Sequence, residues 1–153
     1  MPIFMSDQDY AFITGVNTEL LDQVIKTSVI LYSIDESNSN ANVYGESTEK
    51  IYKPGIICNA LITHDDQRTD DDQFGPNVFQ NIICGFQRTT MKEKDFYPER
   101  GDVIKYSDSY YECTGVVDNQ FISGRVGMPH SILCTAVMTN KSTVNVRYET
   151  PDQ

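Results

Sequence analysis

The chain has 153 residues, of which 39% are hydrophobic and 22% charged, so it is most simply one domain with its own core. This composition is that of a folded protein and excludes intrinsic disorder. The formal net charge of −10 argues against a nucleic-acid binder that works by neutralising phosphates with Lys and Arg.

The N-terminal third is the part with helical periodicity. Residues 1–17 are expected to form an arm, and residues 18–26 a helix that Asn17 or Thr18 could cap. The apolar residues that this spacing gathers on one helical face are Leu20, Leu21, Val24 and Ile25.

Short runs of β-branched and aromatic residues follow, beginning with SVILYSI, and polar or glycine-containing segments separate them. The polar segment DESNSNAN predicts an exposed loop. Later runs such as GIICNALITH, NVFQNIICGFQR and HSILCTAVMT predict an antiparallel sheet. The predicted fold is therefore mainly β: a small antiparallel barrel or sandwich over residues 27–138, with an N-terminal helix, extended arms and a C-terminal strand and tail over 139–153.

Three local signals refine this prediction. Ser107, Asp108 and Ser109 predict a tight hairpin between two aromatic-rich strands. The stretch RTTMKEKDF predicts one or two helical turns. In YPERGDVIKY, Gly101 and Asp102 predict a turn that directs the chain into a strand.

The four cysteines lie far apart and lack the spacing of a zinc site. Each stands in an apolar run, so we expect reduced, buried thiols at Cys58, Cys84, Cys113 and Cys134. No apolar run approaches the roughly 20 residues that span a bilayer, and no secretory signal is visible. We expect synthesis in the cytoplasm and no membrane partner.

The segment from His64 to Gln73 is the most acidic stretch, with five aspartates in ten residues. It lacks the spacing of an EF-hand loop, so we expect a solvated acidic loop, with metal binding as the alternative. His130 precedes Ser131, but adjacency in sequence does not build a catalytic dyad. We therefore predict no enzyme activity, no cofactor and no metal.

Several segments pair apolar anchors with polar neighbours, a composition that is enriched at interfaces. The candidate interface residues in these segments are Phe4, Tyr10, Phe12, Phe121, Ile122 and Tyr148. The alternative is that these side chains pack back on their own domain.

An ordered set of motifs resembles the neck, or head-to-tail connector, proteins of contractile-tailed bacteriophages. The motifs are YGES at 44–47, HDD at 64–66, FGP at 74–76, YPERGDVIKY at 97–106 and YYE at 110–112. The likeness runs through roughly residues 18–148 in the same order.

This resemblance implies a structural virion protein that forms a ring in the neck, below the portal, through which genomic DNA passes without specific binding. It implies as partners identical subunits, with a hexamer favoured and a dodecamer as the alternative, a portal or adaptor ring, and a tail terminator or the end of the tail tube and sheath. Tyr44, Glu46 and Glu49 would then form a rim that docks a neighbour. A tail terminator or head-closure protein is the alternative position, and a small metal-dependent binding module is the alternative class.

Overall fold

A computed structural model describes residues 6–37, 39–41, 47–65, 68–73, 75–121 and 129–139. For 40–41, 47–49, 68–72, 75–79, 119–121 and 129 it describes the backbone alone. The C-terminal tail, expected over 139–153, lies outside the described residues from 140 onward.

A seven-stranded antiparallel sheet forms the body of the protein, with the strand order β4-β1-β9-β10-β11-β8-β5. Its strands are β1 (Ser28–Tyr32), β4 (Ile56–Asn59), β5 (Leu61–His64), β8 (Asn81–Gln87), β9 (Val103–Tyr106), β10 (Ser109–Phe121) and β11 (Pro129–Thr139). The prediction of a mainly β fold with an N-terminal helix is confirmed.

The two edge strands, β4 and β5, are consecutive in the chain, and Ala60 alone separates them. The strand 56–64 therefore pairs with β1 through its first half and with β8 through its second half. Ala60, where the pairing partner changes from β1 to β8, is fully buried, and its N–H donates to the carbonyl of Thr27 at 3.0 Å. Since its opposite edges meet in this one strand, the sheet closes on itself as a barrel.

Alternation along the strands fills the barrel, because successive side chains of a strand point to opposite faces. Alternate residues are buried from 82 to 86 in β8 and from 132 to 136 in β11. The buried core residues of these two strands are Ile82, Cys84, Phe86, Ile132, Cys134 and Ala136. All four cysteines are buried and free, as predicted. Burial raises the pKa of the Cys58 and Cys84 thiols to about 12, so both stay protonated.

A second, smaller cluster covers the outside of the barrel at Tyr32, Tyr52 and Val103. The segment 50–55 contributes Tyr52 to this cluster. At the start of that segment, the Lys50 ammonium lies 2.9 Å from the Glu112 carboxylate. Gly55 lies against this cluster with no room for a side chain, since a Cβ there would stand 2.5 Å from Ile30 Cγ2.

The N-terminal helix α1 spans Asp7–Glu19 and continues as a π-helical segment over Leu20–Ile25, which ends where Lys26 takes a left-handed conformation. It begins well before the predicted start at residue 18, so the expectation of an arm over 1–17 is wrong from Asp7 onward. The reason is a capping box at Ser6, whose side chain accepts from the N–H of Asp9 while the Asp9 carboxylate accepts from the N–H of Ser6.

Two segments predicted as loops each contribute one strand to a short hairpin. β2 (Asn40–Ala41) pairs with β3 (Ser47–Glu49), and β6 (Arg68–Asp72) pairs with β7 (Gly75–Phe79). The acidic stretch is therefore largely a strand, because backbone hydrogen bonds to β7 do not depend on its side chains.

The other local predictions are confirmed. A short helix, α2, spans Arg88–Glu93. Ser107 and Asp108 both take positive φ, 47° and 65°, in the two-residue turn between β9 and β10.

Replacing Gly55 and Gly15 by alanine should have opposite effects on stability. Gly55→Ala should lower the free energy of unfolding by about 1–3 kcal/mol, because its Cβ would overlap Ile30 and Tyr32. Gly15→Ala should raise the free energy of unfolding by about 0.5–1 kcal/mol, because alanine favours the helix and a Cβ at this position in α1 would have no atom within 4 Å to clash with. Urea denaturation of both variants measures this, and equal effects would contradict the packing at Gly55.

Candidate docking surface

Along α1 and the first residue of its π-helical continuation, apolar side chains four residues apart are exposed to solvent. Phe12 is 72% exposed, Val16 47% and Leu20 43%, and residues four apart lie on one side of a helix. No residue of α1 or of its π-helical continuation is buried. We call Phe12, Val16 and Leu20 the α1 stripe.

Acidic residues accompany the α1 stripe. The segment 7–25 contains Asp7, Asp9, Glu19 and Asp22 and no Lys or Arg. Asp7 and Asp9 stabilise the positive end of the helix dipole, and hydrogen bonds from Ser6 lower the pKa of Asp9. Glu19 is the last residue of α1, and the helix continues past it as the π-helical segment.

Polar contacts help to attach α1 to the barrel. The Asn17 amide nitrogen lies 3.0 Å from His130 Nε2 on β11. The buried Gln87 side chain donates to the Thr14 carbonyl at 3.4 Å, and Asn59 donates to the Asp22 carboxylate at 2.9 Å. Asn17 is thus a link to the sheet and not the helix cap that its position in the sequence suggested.

A groove of about 280 Å³ lies between the π-helical segment and the outer face of β5, β8 and β11. Leu21, Ile25 and Leu133 are among the apolar side chains that line it, and His130 is at its polar side. Burial lowers the pKa of His130, and its Nδ1 is buried without a hydrogen-bond partner among the described residues.

A second cavity, of about 240 Å³, lies beside α2. The buried side chains of Met91, Phe96 and Ile132 line it, and its charged lining residues are Arg88, Lys92 and Asp95. Arg88 also pairs with Asp118 on β10 at 2.7 Å, which holds α2 against the barrel. We call this space the α2 cavity.

The turn before β9 has a structural role, because its Asp102 carboxylate links two segments of backbone. The Asp102 carboxylate accepts from the N–H of Glu99 at 2.8 Å and from the N–H of Ile34 at 3.2 Å, and Gly101 takes a φ of 95°. Burial raises the pKa of Asp102. These bonds join two segments of backbone, which fits the strand-entry role predicted for this motif.

The predicted interface residues fall into three groups. Phe12 lies in the α1 stripe, while Tyr10 is half-buried and lines a cleft between α1 and α2. Glu49 and Phe121 are placed by backbone, at the ends of β3 and β10. The residues outside the described part are Phe4, Tyr44, Glu46, Ile122 and Tyr148.

Sequence reasoning missed Val16 and Leu20 as exposed residues and missed the α2 cavity. The four-residue spacing from Phe12 was a usable signal for the stripe. The cavity had no such signal, because Ile132 reaches it from a distant strand.

Within the described residues, no group of three or more His, Cys, Asp or Glu side chains is placed to hold a metal ion. Among those same residues, no helix combines the length and apolarity needed to cross a membrane.

Comparison with known proteins finds no matching family model and no matching curated protein. Among solved structures, the chain is similar to a chain in the virion of a native gene transfer agent particle, with 12% sequence identity and a TM-score of 0.48. The match covers 73% of this chain and 93% of the other. The comparisons therefore assign the chain to no family.

His130 should make the stability of the protein depend on pH. Its pKa in the folded protein lies below its ordinary value of 6.5. At pH values between the lowered pKa and 6.5, the unfolded chain therefore binds more protons than the folded one. The free energy of unfolding should therefore fall as the pH is lowered through this range, and His130→Gln should lose that part of the fall. Urea titrations at about pH 7.5 and about pH 5 measure it.

His64→Gln, at an exposed position on β5, is the control for the loss of a histidine. A His130→Gln variant with the same pH dependence as the original protein would contradict the role of burial at His130.

Proposed function

We propose that the protein is a structural subunit of a tailed-phage virion, located in the neck between the DNA-filled head and the tail. Identical copies form a ring, with a hexamer favoured over a dodecamer. The ring joins a portal or adaptor ring on the head side to a tail terminator, or to the end of the tail tube and sheath. The ordered motifs from YGES at 44–47 to YYE at 110–112 support this position.

The observation that carries an assembly role is the exposed α1 stripe. Fully burying a large apolar side chain stabilises by about 1.5–3 kcal/mol. Phe12 forgoes most of this on its own chain, and Val16 and Leu20 forgo nearly half. A contiguous apolar face of this kind marks a site of protein association. The helix is therefore suited to contact another subunit.

The charge supports a passage for DNA without a binding site for it. With 22 acidic against 12 basic residues, the chain has little means of releasing counterions from phosphates. An acidic wall repels the DNA backbone, so a strand moves along it without adhering. This agrees with a ring whose lumen is a conduit.

A phage that lacks this protein should accumulate DNA-filled heads and complete tails that remain unjoined. The physical reason is that both particles are finished on their own pathways and lose the ring that connects them. Electron microscopy of lysates from the null phage, with the protein supplied in trans as the control, measures this result.

Other phenotypes would correct the proposal. Tails of irregular length would indicate a tail terminator, and heads that leak DNA would indicate a head-closure protein. Normal infectious particles would exclude a structural role. Light scattering of the purified protein, alone and with head-side or tail-side proteins, tests ring formation independently.

A further inference from the structure

Phe12 is the most exposed of the large apolar side chains in the described part of the chain, at 72%, and it does not line either cavity described above. We propose that Phe12 of one copy docks into the α2 cavity of the next copy, with Glu19 facing Lys92. This inference rests on the proposed assembly of identical copies and names the two surfaces that meet.

The acidic residues exclude the simplest alternative, in which two α1 stripes pack against each other. A two-fold contact of that kind would place the acidic segment 7–25 of one copy beside the same segment of the other. Like charges across an interface disfavour the contact, and the segment 7–25 offers no Lys or Arg to offset them. The surface that receives the α1 stripe must therefore be apolar and cationic.

The α2 cavity meets both requirements. Its base is apolar, through Met91, Phe96 and Ile132, and its volume is about 240 Å³. An apolar cavity of about 150 Å³ already holds a benzene molecule, so the volume of the α2 cavity is large enough for a phenylalanine ring. Its charged lining residues are Arg88, Lys92 and Asp95, and because Arg88 pairs with Asp118, Lys92 is the cation that can face Glu19.

The other two spaces beside α1 are poor candidates. The cleft between α1 and α2 is lined by Glu19, Asp22 and Glu93 and by no Lys or Arg. The groove under the π-helical segment has no carboxylate, lysine or arginine in its lining. An aromatic side chain flanked by acids is therefore best matched by the α2 cavity.

The exposure of Phe12 shows that it does not occupy the α2 cavity of its own chain. The contact is therefore between copies, and it joins two different surfaces of the same protein. Such a head-to-tail contact propagates, and it makes a ring when the rotation between neighbours closes.

Two variants test the pairing. Phe12→Ala removes the aromatic side chain and keeps the cavity, and Lys92→Glu reverses the charge at the cavity and keeps Phe12. Each alone should associate at least about tenfold more weakly than the original protein, as for the loss of a central anchor. Mixed together, they should form a one-to-one dimer, since one intact stripe then meets one intact cavity.

Sedimentation and light scattering measure the species, and thermal unfolding checks that each variant is folded. Ile57→Ala, at another exposed apolar position, and Lys94→Glu, next to α2 but outside the cavity lining, are the matched controls and should assemble normally. Lys92→Gln replaces Lys92→Glu in the mixture if the latter does not fold.

Three results would overturn the pairing: variants that assemble like the original protein, variants that stay apart when mixed, or an original protein that does not self-associate. The proposed function fails separately. If the null phage leaves heads and tails unjoined while Phe12→Ala still assembles, the neck role stands and this contact is wrong.

Discussion

Closure of the sheet at Ala60 is the constraint on which the rest of the structure depends. The first half of the strand 56–64 pairs with β1 and its second half pairs with β8, so the two edges of the sheet are joined by one continuous strand. A closed sheet places one face of every strand inside, where Cys84, Phe86 and Cys134 complete the core. The barrel is therefore filled by its own strands and by Met91 and Phe96 at its α2 side.

The two helices differ in how they contact the core. The short helix α2 buries Met91 in the core, whereas α1 buries no side chain. Contacts of α1 and its π-helical continuation with Asn59, Gln87 and His130 hold the helix on the barrel, and the α1 stripe is exposed to solvent. A helix retained at the surface with apolar residues exposed is explained by assembly more readily than by the stability of the single chain.

The strands were predictable because their signal is local: β-branched and aromatic runs, punctuated by turn residues such as Ser107 and Asp108. The start of α1 was missed because the cap at Ser6 was not recognised, although Ser6 and Asp9 stand at capping-box spacing. Closure at Ala60 and the hairpin of β6 with β7 depend on partners that no local pattern names. The α2 cavity also had no local sequence signal. Of the α1 stripe, only Phe12 was expected from the sequence to lie at an interface.

An acidic chain that assembles with itself needs both a repulsive and an attractive element. The net charge of −10 keeps copies apart at long range and disfavours approaches that bring acidic faces together. Apolar contact acts at short range and has no direction of its own. In the proposed contact, Lys92 of the α2 cavity would select the orientation, because it is the cation that faces the acidic residues beside Phe12. Specificity then arises from the many surfaces that repel as much as from the one that attracts.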